Sequence, residues 1–308
     1  MMSTETDAAS RLLMFPTLIP GESYYSLLAR YHRLSGNRAD IYTFQQLFGA
    51  KADLRAAVTL PYRIRLIDEW LPEECHMPSG LVVRECTALS YLRLSGLFTE
   101  AAYDRIQQPE SLRGRNQRFD MIRALQRNTQ QLRFCPDCIW EDFVEYGEPC
   151  WHLVHQIDGV KYCPIHGTRL VDSPWPNKAK LNGFYPAPDY YTAHSLALSA
   201  RSCMPPDPFE KPYLELARII DWLLKNADRF SEGKLIQLYE QELGTLNLDT
   251  LLRQLTSSGT RFLTDLYGRE VLQLTVSLYE HGMKSQPPLV HALMIMSLGG
   301  IPWISRYG

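Results

Sequence analysis

The chain has 308 residues, 45% of them hydrophobic and 21% charged, with a formal net charge of -2. That is globular material with room for two or three cores, which excludes a disordered tail. The opening MMSTETDAASRLLMF lacks a basic n-region and a cleavable apolar run, and the apolar run from Leu289 to Leu298 is broken by His291 and too short for a bilayer, so a cytoplasmic protein with no membrane partner is expected.

The first elements in chain order are helical. Pro16 and Pro20-Gly21 precede Tyr24, Leu27, Leu28, Tyr31 and Leu34, an i, i+3, i+4, i+7 series with Ser23 at the N-cap and Gly36 at the stop. Capping explains Ser23 at this helix start. Arg30 on the same helix is expected to be solvated. Further helices are read over Tyr42 to Phe48, Arg63 to Trp70, Leu89 to Arg105 and Asn116 to Gln131. Residues 105 to 133 hold seven arginines against Glu110 and Asp120. Of these, Arg113, Arg115, Arg118 and Arg123 are candidate phosphate contacts, with a solvated helix face as the alternative.

From Leu132 to Leu170 the texture changes to short aromatic and β-branched segments, read as small strands over Leu132 to Phe134, Trp151 to Ile157, Val160 to Tyr162 and Thr168 to Val171. They alternate with Cys135-Pro-Asp-Cys138 and Cys163-Pro-Ile-His166. Each pair places two ligands at i and i+3, and four together complete a tetrahedron around one structural Zn2+. No position is left open for an activated water, so the metal's role is to fold the chain and not to catalyse. His152 and His155 lie between the pairs, and either could replace His166, although core or supporting roles suit their spacing better. The seven cysteines form no secreted disulfide framework, and Cys75, Cys86, Cys150 and Cys203 are read as small buried hydrophobes. Trp151 is expected to be core. Residues 135 to 160 carry six acids and no Lys or Arg, so this zinc lobe should repel a phosphate backbone. Asp142 with Glu145, and Glu240 with Glu242, are read as charged helix faces, because no nucleophile or phosphate loop accompanies them.

Residues 173 to 211 contain seven prolines and are read as a surface connector. Helical spacing returns at Tyr213 to Lys225, Lys234 to Leu243, Leu248 to Leu255, Glu270 to Tyr279 and Leu289 to Leu298. The fold class is therefore mostly α with a small β zinc-ribbon-like insertion. The divisions fall at 1–131 (helical, with a helix-turn-helix-like pair), 132–172 (zinc module), 173–211 (connector) and 212–308 (helical bundle).

Two separated strings then acquire a common meaning. Phe15-Pro16 with Pro20-Gly21-Glu22-Ser23-Tyr24 and Ser26-Leu27-Leu28-Ala29-Arg30 forms the first. The second is Phe134-Cys135-Pro136-Asp137-Cys138, Glu145-Tyr146-Gly147-Glu148, Trp151, His155-Gln156-Ile157-Asp158-Gly159-Val160 and Cys163-Pro164-Ile165-His166-Gly167. Together they resemble the TniQ/TnsD family of transposition target-selection proteins over about residues 14 to 171. The resemblance implies a non-enzymatic adaptor of Tn7-type elements that links a chosen target to the AAA+ regulator TnsC. In the TnsD branch the protein reads DNA itself, and in the TniQ branch it sits on a CRISPR effector such as Cascade, whose guide supplies the sequence. Tyr24, Tyr25 and Tyr31 are the candidate partner-binding residues for TnsC, since tyrosines anchor interfaces at little entropic cost. Two departures stand out. After His166 Cys203 is the one further cysteine, so a second zinc site of the kind found in some members has no obvious ligands, and the chain stops at Gly308, where sequence-reading members continue into further DNA-binding helices. A homodimer and a directly DNA-binding, zinc-stabilised transcription regulator remain compatible with these residues, while a metal-dependent hydrolase would need an open metal position.

Overall fold

The computed structural model describes Leu12, residues 14–49, 58–60, 64, 67, 70–71, 78–95, 131–176, 183–203, 205–230, 232–257 and 259–307. It is mostly helical, with one two-stranded sheet.

Helix α1, Tyr24–Ser35, forms as its signals require: the Ser23 hydroxyl accepts from the Ser26 amide at 3.2 Å, and Gly36 closes the helix at φ 67°. Helix α2, Asp40–Phe48, packs on α1, and the short α3, Ser79–Cys86, and α4, Leu89–Arg93, complete the described part of this lobe. The helix read over Arg63 to Trp70 lies partly outside the described residues, and the continuation of α4 beyond Ser95 wholly so. Arg113, Arg115, Arg118 and Arg123 also lie outside them. The helix read from Asn116 does not include Gln131, which opens strand β1, Gln131–Phe134.

β1 pairs antiparallel with β2, Val171–Pro176. Between them the strand readings need correction. Pro136–Tyr146 is a helix, α5, because Cys135 takes the extended N-cap conformation and Pro136 supplies the first helical φ, with Gly147 at φ 78° as the stop. Trp151 to Ile157 is not a strand: one 3-10 turn spans Val154–Gln156, and Glu22 with His152 forms an isolated bridge. Gln156 serves as a substitute strand, accepting from the Arg133 amide at 3.1 Å and donating to the Arg133 carbonyl at 2.7 Å. Val160 to Tyr162 and Thr168 to Val171 reduce to a Tyr162 to Arg169 bridge and the first residue of β2.

The expected connector contains a 14-residue helix, α6, Tyr190–Cys203. Prolines flank this helix without entering it, and Asp189 caps it by accepting from the Thr192 amide at 2.9 Å. The C-terminal bundle comprises α7 (Glu210–Asn226), α8 (Glu232–Leu243), α9 (Leu248–Ser257), α10 (Thr260–Tyr267), α11 (Val271–His281), α12 (Pro288–Ser297) and the short α13 (Ile301–Ile304). Helix α12 is buried from Pro288 to Met296, against α7 and α9. That is the expected place for a helix apolar on every face.

One continuous apolar core runs from the N-terminal lobe through the cysteine lobe into the bundle. Gly159 sets one junction: its φ of 85° suits glycine, and a Cβ there would come within 2.8 Å of Leu289 Cδ1, so a larger residue would be strained and would push that side chain aside. No described helix is long and apolar enough to cross a membrane.

Candidate metal centre

Cys135 and Cys138 stand at the N-terminus of α5, where the free amides and helix dipole favour thiolates. The other two donors come from a tight turn after the Tyr162 bridge. There the Cys163 carbonyl accepts from the Gly167 amide at 2.9 Å, the Cys163 amide donates to the Thr168 carbonyl at 2.8 Å, and the His166 amide approaches Cys163 Sγ at 3.5 Å. Gly167 takes φ 68° to close the turn. The Asp137 carboxylate joins the halves, accepting from Thr168 Oγ1 and lying 3.8 Å from Cys135 Sγ.

The four ligand atoms lie within 4.8 Å of one another. Cys138 Sγ is 3.6 Å from Cys163 Sγ, and His166 Nδ1 is 3.6, 3.4 and 3.5 Å from the sulfurs of Cys135, Cys138 and Cys163. A tetrahedral ion with Zn–S near 2.3 Å and Zn–N near 2.0 Å requires S···S of about 3.8 Å and S···N of about 3.5 Å. The donor set therefore fits such an ion in separation as well as in type, and these four residues could hold a metal. Metal binding at such a donor set displaces the thiol protons.

The surrounding groups separate the histidines. His166 turns Nδ1 toward the three sulfurs, and Glu141 Oε1 lies 3.0 Å from its Nε2, where a carboxylate would support a ligating imidazole. His155 is fully buried beside Cys163, and burial holds its pKa down. His152 turns away, with Nε2 3.0 Å from Asp142 Oδ2, which also accepts from the Cys150 amide at 3.2 Å and Cys150 Sγ at 3.4 Å. Asp142, Cys150 and His152 thus form a second buried Asp/Cys/His group whose hydrogen bonds satisfy one another. Asp142 is not the solvated helix charge that its neighbours suggested.

The opening string folds directly onto this lobe. The Ser23 amide donates to the Trp151 carbonyl and the Leu153 amide to the Gly21 carbonyl, both at 2.8 Å, while the Trp151 amide donates to Ser26 Oγ at 2.8 Å. Gly21, at φ 78°, faces His152 Nδ1 so closely that a Cβ would sit 3.1 Å from it. Trp151 is buried against Phe134 and Trp175, its indole N–H donating to the Tyr185 carbonyl at 2.6 Å, as its core role requires.

Arg30 is a correction: it is buried, with 2.7 Å contacts to Glu22 Oε2 and to Glu148 Oε1 at the end of α5, and Arg33 also meets Glu148. Burial lifts Glu22 to about 7 against the pull of Arg30. Nothing in the spacing announced this network, because its members come from separate parts of the chain.

Tyr24, Tyr25 and Tyr31 are also buried. The Tyr25 hydroxyl donates to the Gly183 carbonyl at 3.1 Å and accepts from the Tyr185 amide at 2.8 Å, while Tyr31 packs on Phe15 with ring centres 5.2 Å apart. The expectation that these rings face a partner is therefore corrected, since the lobe itself uses their area. Cys86 and Cys150 are buried as expected, Cys203 is exposed, and Cys75 lies outside the described residues.

A sequence profile of the family described as TniQ matches residues 13–170. That span begins before the opening string and ends just past His166. No curated protein matches the chain.

Proposed function

Because the chain belongs to the TniQ family, whose members serve Tn7-like transposition, we propose that it is a non-enzymatic adaptor for target-site selection. It links target DNA, or a guide-RNA effector of the Cascade type, to the AAA+ regulator TnsC. The observation that carries this reading is the union of the family's two strings into one unit, with residues 21–23 hydrogen-bonded to residues 151–153 over the metal lobe. An adaptor needs a rigid body that presents surfaces, and a core continuous across the lobes supplies one.

The ion is Zn2+, held by Cys135, Cys138, Cys163 and His166. It supplies cross-linking: two turns distant in sequence become one rigid corner. Four protein ligands leave no place for a reacting water, in keeping with a role outside catalysis. Arg113, Arg115, Arg118 and Arg123 are the proposed DNA contacts, as the basic stretch of a chain whose metal lobe is acidic. The adaptor reading is tested by reconstituted transposition with and without this chain, together with its co-purification with ATP-bound TnsC. Loss of targeted insertion without the chain, and a stable complex with TnsC, are expected. Undiminished targeting in its absence would refute the role.

A further inference from the structure

The first metal knuckle opens helix α5, and the buried arc of that helix holds Cys138, Ile139 and Asp142. At about 100° per residue, the outer arc divides lengthwise. Trp140, Phe143 and Val144 form one strip, and Asp137, Glu141 and Glu145 form the strip beside it. The apolar strip lies in water, with Trp140 48%, Phe143 47% and Val144 63% exposed. Helix α6 extends it: Tyr190 packs on Trp140 with ring centres 4.9 Å apart, and Tyr191 and Leu198 are exposed alongside. Between the helices runs a groove of about 290 Å³, lined by Trp140, Tyr190, Ala197 and Leu198, with Asp137 at its α5 side and His194 and Arg201 on α6.

Isolated exposed apolar residues are ordinary, but an aromatic strip beside a groove marks an interaction surface. The neighbouring acids determine what fits. Residues 135–160 carry no Lys or Arg and Arg201 is the one such residue lining the groove, so the three acids of the α5 strip outweigh it and a nucleic acid or an anionic membrane is disfavoured. We propose that the α5–α6 face is a docking site for a protein segment that carries an apolar side chain into the groove and Lys or Arg along its flank. An arginine there gains twice, from the carboxylates and from the face of Trp140. The inference rests on the adaptor reading for its setting. It adds that the metal, by fixing the start of α5, holds a protein-binding surface in shape.

The test replaces Val144 with p-benzoylphenylalanine in the full chain and irradiates it in the reconstituted transposition reaction with TnsC, the transposase proteins and the guide effector. The expected result is a cross-link to one of those proteins, on a peptide with Lys or Arg beside an apolar residue. In parallel, Trp140→Ser with Val144→Asp should lower transposition at least tenfold while metal content and melting temperature stay at parental values, and Glu145→Lys should weaken the cross-link. Parental transposition by the double variant, or a cross-link only to DNA or to a second copy of this chain, would overturn the proposal. If the double variant loses its metal or unfolds, the cross-link and Glu145→Lys decide. Removing the whole chain tests the adaptor reading separately: unchanged transposition there defeats that reading, and the cross-link alone then judges the docking site.

Discussion

At the residue scale, side chains here are fixed by what they must satisfy when buried. His291 shows the cost: it sits in α12 with Nδ1 3.2 Å from the Tyr239 hydroxyl, and burial drops its pKa to about 4. Unfolding frees the imidazole to titrate near 6.5. The folded chain therefore holds this histidine neutral, and its contribution to stability is intact above pH 6.5 and lost as pH falls toward about 4. A shift of that size corresponds to roughly 3 kcal/mol. Urea unfolding at pH 7.0 and pH 4.5 should show a larger acid loss for the parent than for His291→Phe, by about 2–3 kcal/mol. Equal losses in the two proteins would mean that His291 does not take up a proton on unfolding.

The four residues that could hold a metal were legible at this scale, since i, i+3 spacing with proline after each first cysteine is a local signal. What keeps His152 and His155 out of that cluster was not. It depends on Asp142 capturing His152 and on His155 lying against Cys163, contacts that no spacing encodes.

At the element scale, the helices whose apolar positions repeat every three to four residues were readable, and α1 was readable even to its caps. Helix α5 is hidden in the sequence because a Cys-x-x-Cys knuckle has the pattern of a turn, although the same Cys-Pro step makes an N-cap followed by proline at the first helical position. Helix α6 is hidden in the sequence because the prolines on either side of it give the whole stretch the composition of a connector. Both helices are held by contacts with distant segments. The clearest is the bridge from α1 to the end of α5, where buried Arg30 lies between Glu22 and Glu148. Arg30→Met would leave Glu22 buried without its cation, and removing one partner of a buried pair costs about 3–5 kcal/mol. Chemical denaturation of that variant should show a loss in this range. A change below about 1 kcal/mol, the scale of a surface pair, would show that the bridge is solvated in practice.

At the scale of the whole molecule, the division of charge governs what each part can touch. The segment from 105 to 133 is rich in arginine and residues 135–160 are acidic, so a nucleic acid and a basic protein segment would engage different places. Replacing Arg115, Arg118 and Arg123 together with Gln should weaken DNA binding on any sequence and flatten its salt dependence by about one unit per lost phosphate contact. An unchanged slope in a binding titration against salt would assign these side chains to solvent. The continuity of the core was hidden from the sequence, because connections such as Gly159 against Leu289 are made between segments that look independent. Those connections make the metal matter beyond its own corner, since the opening residues, β1 and α5 all lean on the lobe it would organise. The most direct measurement is therefore elemental analysis of the purified, folded chain, paired with its melting curve before and after a strong chelator. One zinc per chain is expected, absent from Cys163→Ser, with the cooperative transition lost or markedly lowered when the metal is stripped. A folded, monodisperse chain that contains no zinc, and melts the same with chelator as without, would contradict the structural role assigned to the four ligands.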